Sequence, residues 1–176
     1  MGCYSVTKEE AQKLLMIMSV RYPNWKVDVP MEFVINSWHQ LLRDYPYDVM
    51  TKALDDFCKA DTKGFAPAPG QLINRISAAV HSNDMTEQEM LRLVDKAVSN
   101  SSYHAEEEFE KLPDTVKRAV GSVGSLRQMA GMDYDSYEVI KHNIARSYRQ
   151  ALAQQKEREK INPVGLVQNA RGLLNG

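Results

Sequence analysis

The chain has 176 residues, of which 43% are hydrophobic and 26% charged, and its formal net charge is −1 at pH 7. This is the composition of an ordinary globular protein, so it excludes extended disorder and a strongly basic nucleic-acid-binding domain. The longest apolar run, residues 14–18, is far too short to cross a bilayer, and two cysteines, Cys3 and Cys58, cannot form a disulfide framework, which favours a reducing cytoplasm.

The first 45 residues predict two helices. Thr7 and Glu10 have the spacing of a capping box, which satisfies two backbone N–H groups at the start of a helix, and apolar residues follow at helical spacing to about Tyr22. Pro30 suits the first turn of a second helix. The apolar face predicted for this second helix consists of Phe33, Val34, Trp38, Leu41, Leu42 and Tyr45.

Two more helices are predicted before residue 81. The third begins near Pro46 and stops at residues 61–64, where Gly64 supplies the left-handed conformation that ends many helices. Residues 65–70 read Phe-Ala-Pro-Ala-Pro-Gly and form an extended connector, because each proline disfavours helix in the residue before it. The fourth helix follows, and together the four predict a small helical bundle over residues 1–81.

A second helical region is predicted from residue 82 onward. Thr86 and Glu89 repeat the capping-box spacing, and the polar residues 99–102 are expected to end the helix that they open. Pro113 marks the start of another helix.

The remainder of this region predicts a turn and then two helices. Gly121 and Gly124 are assigned to the turn, and Ser125 is expected to cap the short helix that follows. Asp135 begins the longest helical pattern, which extends to about Lys160.

The predicted fold class is all-α, because no segment of useful length alternates apolar and polar residues. We expect an N-terminal helical domain at residues 1–81, a C-terminal helical region at residues 82–160 that ends in a long helix, and a tail at residues 161–176 with a short amphipathic helix. Asn162-Pro163 separates this tail from the long helix.

The sequence contains no recognisable catalytic apparatus. A nucleotide-binding P-loop needs spaced glycines followed by Lys and Ser or Thr, and the nearest glycine pair, Gly121 and Gly124, lacks both the lysine and the spacing. The histidines and cysteines are scattered and none has metal-ligand spacing. We therefore expect no catalytic residues, no cofactor and no metal, and a protein that is not an enzyme.

The C-terminal quarter is mildly basic, since residues 135–176 carry 7 basic and 4 acidic side chains. One interpretation is a contact with nucleic acid or with an acidic partner; the other is a solubilising helix face. The residues in question are Arg146, Tyr148, Arg149, Lys156 and Arg158.

The tail carries apolar pairs at residues 166–167 and 173–174. On a short amphipathic helix, such residues can dock in the groove of a partner protein. They can equally fold back on the chain's own bundle, and the sequence leaves both possibilities open.

Two stretches of the first half resemble the N-terminal domain of the phage replicative helicase loader/inhibitor family. They are Ala-Leu-Asp-Asp-Phe at residues 53–57 and Phe-Ala-Pro-Ala-Pro-Gly-Gln-Leu-Ile at residues 65–73. The first belongs to an apolar helix, and the second has the aromatic and proline pattern of the connector that follows it in this family. Residues 109–148 are similar to a segment that recurs in phage replication proteins.

The resemblance implies a protein that binds the replicative hexameric helicase, holds it inactive and delivers it to an origin marked by an initiator protein. Such loaders carry no nucleotide site. For this chain we expect the host-cell cytoplasm and at most weak or indirect DNA contact. The family contacts the helicase through its C-terminal part. For this chain, that implies a helicase-binding set of Ile161, Val164, Leu166, Val167, Leu173 and Leu174.

The alternative function is a small helical DNA-binding regulator or a packaging adaptor. It would use a helix–turn–helix in residues 30–81 or 113–131. Residues 86–134 carry 6 basic and 9 acidic side chains, and this negative balance would repel phosphate.

Overall fold

The computed structural model describes residues 5–174, and this part of the chain contains nine α-helices and no strand. The all-α prediction is therefore confirmed. The helices form two compact units: the first consists of the chain up to Asn83 and from Arg158 onward, and the second of Asp84–Glu157. Between residues 5 and 174, no helix combines the length and apolar character that a transmembrane span requires.

Four helices of the first unit come from the N-terminal half of the chain. They are α1 (Lys8–Arg21), α2 (Met31–Leu42), α3 (Tyr47–Ala60) and α4 (Pro69–Val80), and a short 3₁₀ turn follows at His81–Asn83. The capping box at the start of α1 is present: the Glu10 amide donates to the Thr7 hydroxyl at 3.2 Å, and the Thr7 amide donates to the Glu10 carboxylate at 2.9 Å.

The end of α3 agrees with the prediction from the sequence. The Asp61 carboxylate accepts hydrogen bonds from the backbone N–H groups of Lys63 at 2.9 Å and Gly64 at 3.0 Å, and these bonds lower the pKa of Asp61. Gly64 has a φ of +73°, the left-handed conformation that glycine adopts without steric cost. The chain then runs extended through the prolines to α4, as the sequence predicts.

The apolar face of α2 differs from the prediction. Trp38 and Leu42 point into the core with Val34 packed beside them, but Phe33 is 69% exposed and Leu41 55% exposed. Positions 34, 38 and 42 follow one another at intervals of four and so share one face, whereas position 33 lies about 140° from the centre of that face and position 41 about 60° from it, at its edge.

The second unit contains α5 (Glu87–Glu110), α6 (Asp114–Val120), α7 (Val123–Ala130) and most of α8 (Tyr134–Ile161). Residues 99–102 do not end α5, contrary to the expectation; the helical geometry breaks only at His104. The Ser99 hydroxyl donates to the Asp95 carbonyl within the helix, and the Ser101 hydroxyl lies 2.9 Å from the Val98 carbonyl oxygen. These bonds back to the preceding turn allow serines to remain inside a helix.

The turn between α6 and α7 is shorter than predicted. Ser122, not Ser125, caps α7, since its hydroxyl accepts from the Ser125 amide at 3.0 Å, and Gly124 therefore lies inside the helix. Gly121 alone makes the turn, with φ +94° and ψ −63°. Residues with a side chain rarely adopt this conformation.

These two glycines provide a matched pair of substitutions. We expect Gly121→Ala to lower the free energy of unfolding by about 1–3 kcal/mol, because the new side chain is strained at this φ. Gly124→Ala should leave stability unchanged or raise it by up to about 1 kcal/mol, because alanine favours the helix. Chemical denaturation of both variants tests this, and equal effects would contradict the turn geometry.

Candidate protein-binding site

The tail of the chain forms α9 (Val164–Leu174), directly after the Asn162-Pro163 break. Leu166 is completely buried and Ala170 nearly so, and both belong to the core of the first unit. The helix packs against α3 and α4. In the free chain, the tail therefore lies on its own bundle, one of the two possibilities that the sequence left open.

Apart from Val164, the apolar residues of α9 form a single stripe along the helix. At 100° per residue, their positions span an arc of about 120°, so they lie on one side of the helix. We call this face the α9 stripe, and it consists of Leu166, Val167, Ala170, Leu173 and Leu174.

The far end of the α9 stripe is poorly packed. Leu173 is 55% exposed and Leu174 37% exposed, and both border a groove of about 230 Å³. The other walls of this groove come from α3, including Ala53, and from α4, including Ile76 and Ala79. The stripe is thus buried where it begins and half-open where it ends.

Polar contacts fasten the chain just before α9. The Tyr45 hydroxyl donates to the Lys160 carbonyl oxygen at 3.1 Å, and His81 Nε2 lies 2.7 Å from Glu159 Oε2. Burial raises the pKa of Tyr45 to about 12, so its hydroxyl stays protonated and able to donate at neutral pH. These contacts hold the end of α8 against the first unit.

Two glycines weaken α9 without serving its packing. A Cβ atom built on Gly165 or Gly172 would meet no atom within 4 Å, so neither position requires a residue without a side chain. Glycine lowers helix stability by about 1 kcal/mol relative to alanine. The helix is therefore less stable than it would be with alanine at these two positions, and no neighbouring atom prevents alanine there.

The six residues predicted to bind the helicase fall into two groups. Four of them belong to the α9 stripe and differ in how far they are buried against the bundle: Leu166, Val167, Leu173 and Leu174. Ile161 is 83% exposed, and Val164 is also exposed; both lie outside the stripe. The structure thus does not bring all six together on one accessible surface.

The basic residues of α8 are less available than the sequence indicated. Tyr148 is buried in the second unit, where its hydroxyl donates to the Met85 carbonyl at 2.9 Å, and this burial raises its pKa. A nucleotide base therefore cannot stack on it. Arg146 and Arg158 are exposed.

Two other members of the basic set have acidic partners within the second unit. Arg149 pairs with Glu87 at 3.4 Å, and Lys156 pairs with Asp84 at 3.0 Å. Both pairs involve α8 and the N-terminal part of the second unit, so these side chains contribute less positive potential than their number suggests.

Residues 5–174 contain no cluster of three His, Cys, Asp or Glu side chains that could hold a metal ion. Cys58 is a free, partly buried thiol whose sulfur lies 3.7 Å from Arg21 Nη1. Cys3 lies outside the described residues.

Sequence reasoning did not find the groove. Its walls include Ala53, Ala79 and Ala170, small residues that let α9 approach α3 and α4 closely. Alanines at these positions give a weak signal, because alanine is also the commonest filler of any helix. Only the apolar pairs of the tail indicated that this segment packs against another surface, either of its own bundle or of another protein.

The N-terminal helices have a recognisable family signature. Residues 6–73 match the family model for the N-terminal domain of the phage helicase loader/inhibitor. The expected resemblance to this family is therefore confirmed. The matched domain contains α1, α2, α3 and the start of α4. Neither a curated protein nor a solved structure matches the chain.

The two exposed glycines of α9 give a direct test of its stability. In the double variant Gly165→Ala/Gly172→Ala, we expect the hydrogen-exchange protection of α9 amides to rise by up to about thirtyfold, because each alanine favours the helix by about 1 kcal/mol and neither position meets a neighbour. Gly70→Ala, which changes an equally open helical glycine of α4, is the control and should leave α9 protection unchanged. Unaltered protection in the double variant would show that helix propensity does not limit α9.

Proposed function

We propose that this chain is a phage DNA-replication accessory protein that binds the replicative hexameric helicase, holds it inactive and loads it at the origin. The observation that carries this proposal is the loader/inhibitor N-terminal domain at residues 6–73. The family has a non-catalytic accessory role, which agrees with a chain that works by binding and hydrolyses no ATP. The site of action would be the cytoplasm of the host cell.

The C-terminal helix is the proposed contact with the helicase. Its support is the α9 stripe, a single apolar face of the kind that docks in a groove of another protein. Leu173 and Leu174 are the most exposed side chains of the α9 stripe, so a partner that binds the stripe gains most there by burial. Fully burying an exposed leucine contributes about 1.5–3 kcal/mol, so covering the exposed part of both side chains contributes roughly the same amount for the two together.

Without ATP hydrolysis, binding energy must perform the loading. A protein can shift the helicase ring only by the difference between its affinities for two ring states. We propose that the loader binds one of these states more tightly and releases the ring at the origin, where an origin-binding initiator protein takes part. DNA contact would be weak or indirect and would involve Arg146 and Arg158, which are exposed.

The contact is tested by Leu173→Asp/Leu174→Asp in the tagged full-length chain, used to capture proteins from nuclease-treated host lysate. We expect recovery of the replicative helicase to fall at least about tenfold, because two charges replace the apolar contact. Gln168→Asp/Asn169→Asp places the same charges on exposed positions of α9 and should capture helicase like the unmodified chain.

Three results would contradict the proposal. Undiminished capture by the leucine variant would remove the assignment of the contact to α9. Equal loss in both variants would show that added negative charge, and not the stripe, weakens binding. If the unmodified chain retained DNA, or a portal or terminase component, and no helicase, the DNA-binding regulator or packaging adaptor would replace the loader.

A further inference from the structure

The α9 stripe is the one apolar face of its helix, and in the free chain this face lies on α3 and α4. Leu166 is fully buried there, and Ala170 is nearly so. A partner that binds the whole stripe in a groove must take these side chains from the bundle. The bundle and the partner therefore require the same surface of α9.

We propose that α9 exchanges between the α3–α4 face of the first unit and the helicase, so that docking in the free chain is an autoinhibitory contact. This inference rests on the function proposed above and adds its regulation. The free loader keeps its binding helix covered, and the helicase competes with the loader's own bundle for it.

The chain is held in place just before residue 161 and has a helix break just after it, and together these features make such an exchange possible. Tyr45 and His81 hold Lys160 and Glu159, so the end of α8 stays in place when α9 leaves. The Asn162-Pro163 break separates the two helices, and release requires backbone rotation only in residues 161–163.

The last turn of the docked helix is loosely packed. The groove of about 230 Å³ leaves the last turn of α9 without close packing, and Leu173 and Leu174 remain half-exposed beside it. Gly165 and Gly172 reduce the helix stability although no neighbouring atom excludes a side chain there. A displaceable segment is drawn from the low-stability part of a fold, and α9 has these properties.

Competition has a measurable consequence. If only undocked α9 binds, the apparent dissociation constant equals the intrinsic one divided by the undocked fraction. A change in the bundle that weakens docking then tightens helicase binding, and a change that strengthens docking weakens it. A static contact through the exposed side chains of Ile161 and Val164 would produce neither effect.

Ala79 allows docking to be changed in both directions without altering α9. It is an exposed residue of α4 that lines the same groove as Leu173 and Leu174. Ala79→Asp places a short, charged side chain beside these leucines and should weaken docking. Ala79→Leu adds apolar contacts inside the groove and should strengthen it. Ala78 is also exposed but does not line the groove, so Ala78→Asp and Ala78→Leu are matched controls.

The experiment measures two quantities on the full-length chain and its four variants: hydrogen exchange of α9 amides in the free protein, and affinity for the purified replicative helicase of the phage host. We expect Ala79→Asp to lower α9 protection and to tighten helicase binding about fivefold, and Ala79→Leu to change both in the opposite direction. Both Ala78 variants should match the unmodified chain.

Failure of the exchange can be told apart from failure of the proposed function. If the Ala79 variants alter α9 protection but not helicase affinity, α9 docking does not compete with the helicase, and the loader function stands. If they leave α9 protection unchanged, the groove does not hold α9 and the exchange is overturned. If no chain binds the helicase although protection changes as expected, the proposed function fails, and the exchange fails with it.

Discussion

The burial of Leu166 and Ala170 against α3 and α4 is the contact on which the position of α9 in the first unit depends. Four short helices from the N-terminal half supply most of this core, and a helix from the last residues of the chain completes it. The completing helix is also the segment proposed to bind the helicase. Under this proposal, folding and helicase binding use the same surface of α9, and the strength of this one contact affects both.

The burial energy of α9 on α3 and α4 is small enough for the helix to leave the bundle and bind a partner, as proposed. One fully buried leucine contributes about 1.5–3 kcal/mol, a modest fraction of the roughly 5–15 kcal/mol that typically stabilises a domain. We expect α1–α4, which supply most of this core, to stay folded when α9 leaves the bundle. The unfilled groove beside Leu173 and Leu174 and the helix-destabilising Gly165 and Gly172 further lower the free energy that docking of α9 contributes. A partner that packs the same leucines more completely can compete with such a contact.

The sequence predicted what short-range chemistry determines. The capping box at Thr7, the helix end at Gly64 and the proline connector depend on residues within a few positions of each other, and each is present. The prediction of the buried face of α2 was wrong in part, because contacts with residues far away in the sequence determine which face is buried. Phe33 and Leu41 are apolar, but the helices packed on α2 cover a different face.

In the candidate site, too, the sequence indicated the local features but not the contacts with distant residues. The apolar pairs of the tail were visible in the sequence, and so was their helical spacing. Whether they cover the chain's own bundle could not be inferred, because the small residues that receive them, Ala53 and Ala79, lie about a hundred positions earlier and carry no pattern of their own. The family signature does not extend to this question either, since it ends at residue 73.

The most direct test of the central claim is a methyl NOE spectrum of the full-length chain, recorded free and with the purified helicase. In the free protein, we expect NOEs between the Leu166 methyl groups and methyl groups of the first core, because Leu166 is completely buried there. These NOEs should disappear when the helicase is added, while those within α1–α4 persist. Leu166 NOEs to the first core that remain at saturating helicase would contradict the exchange of α9 between the bundle and its partner.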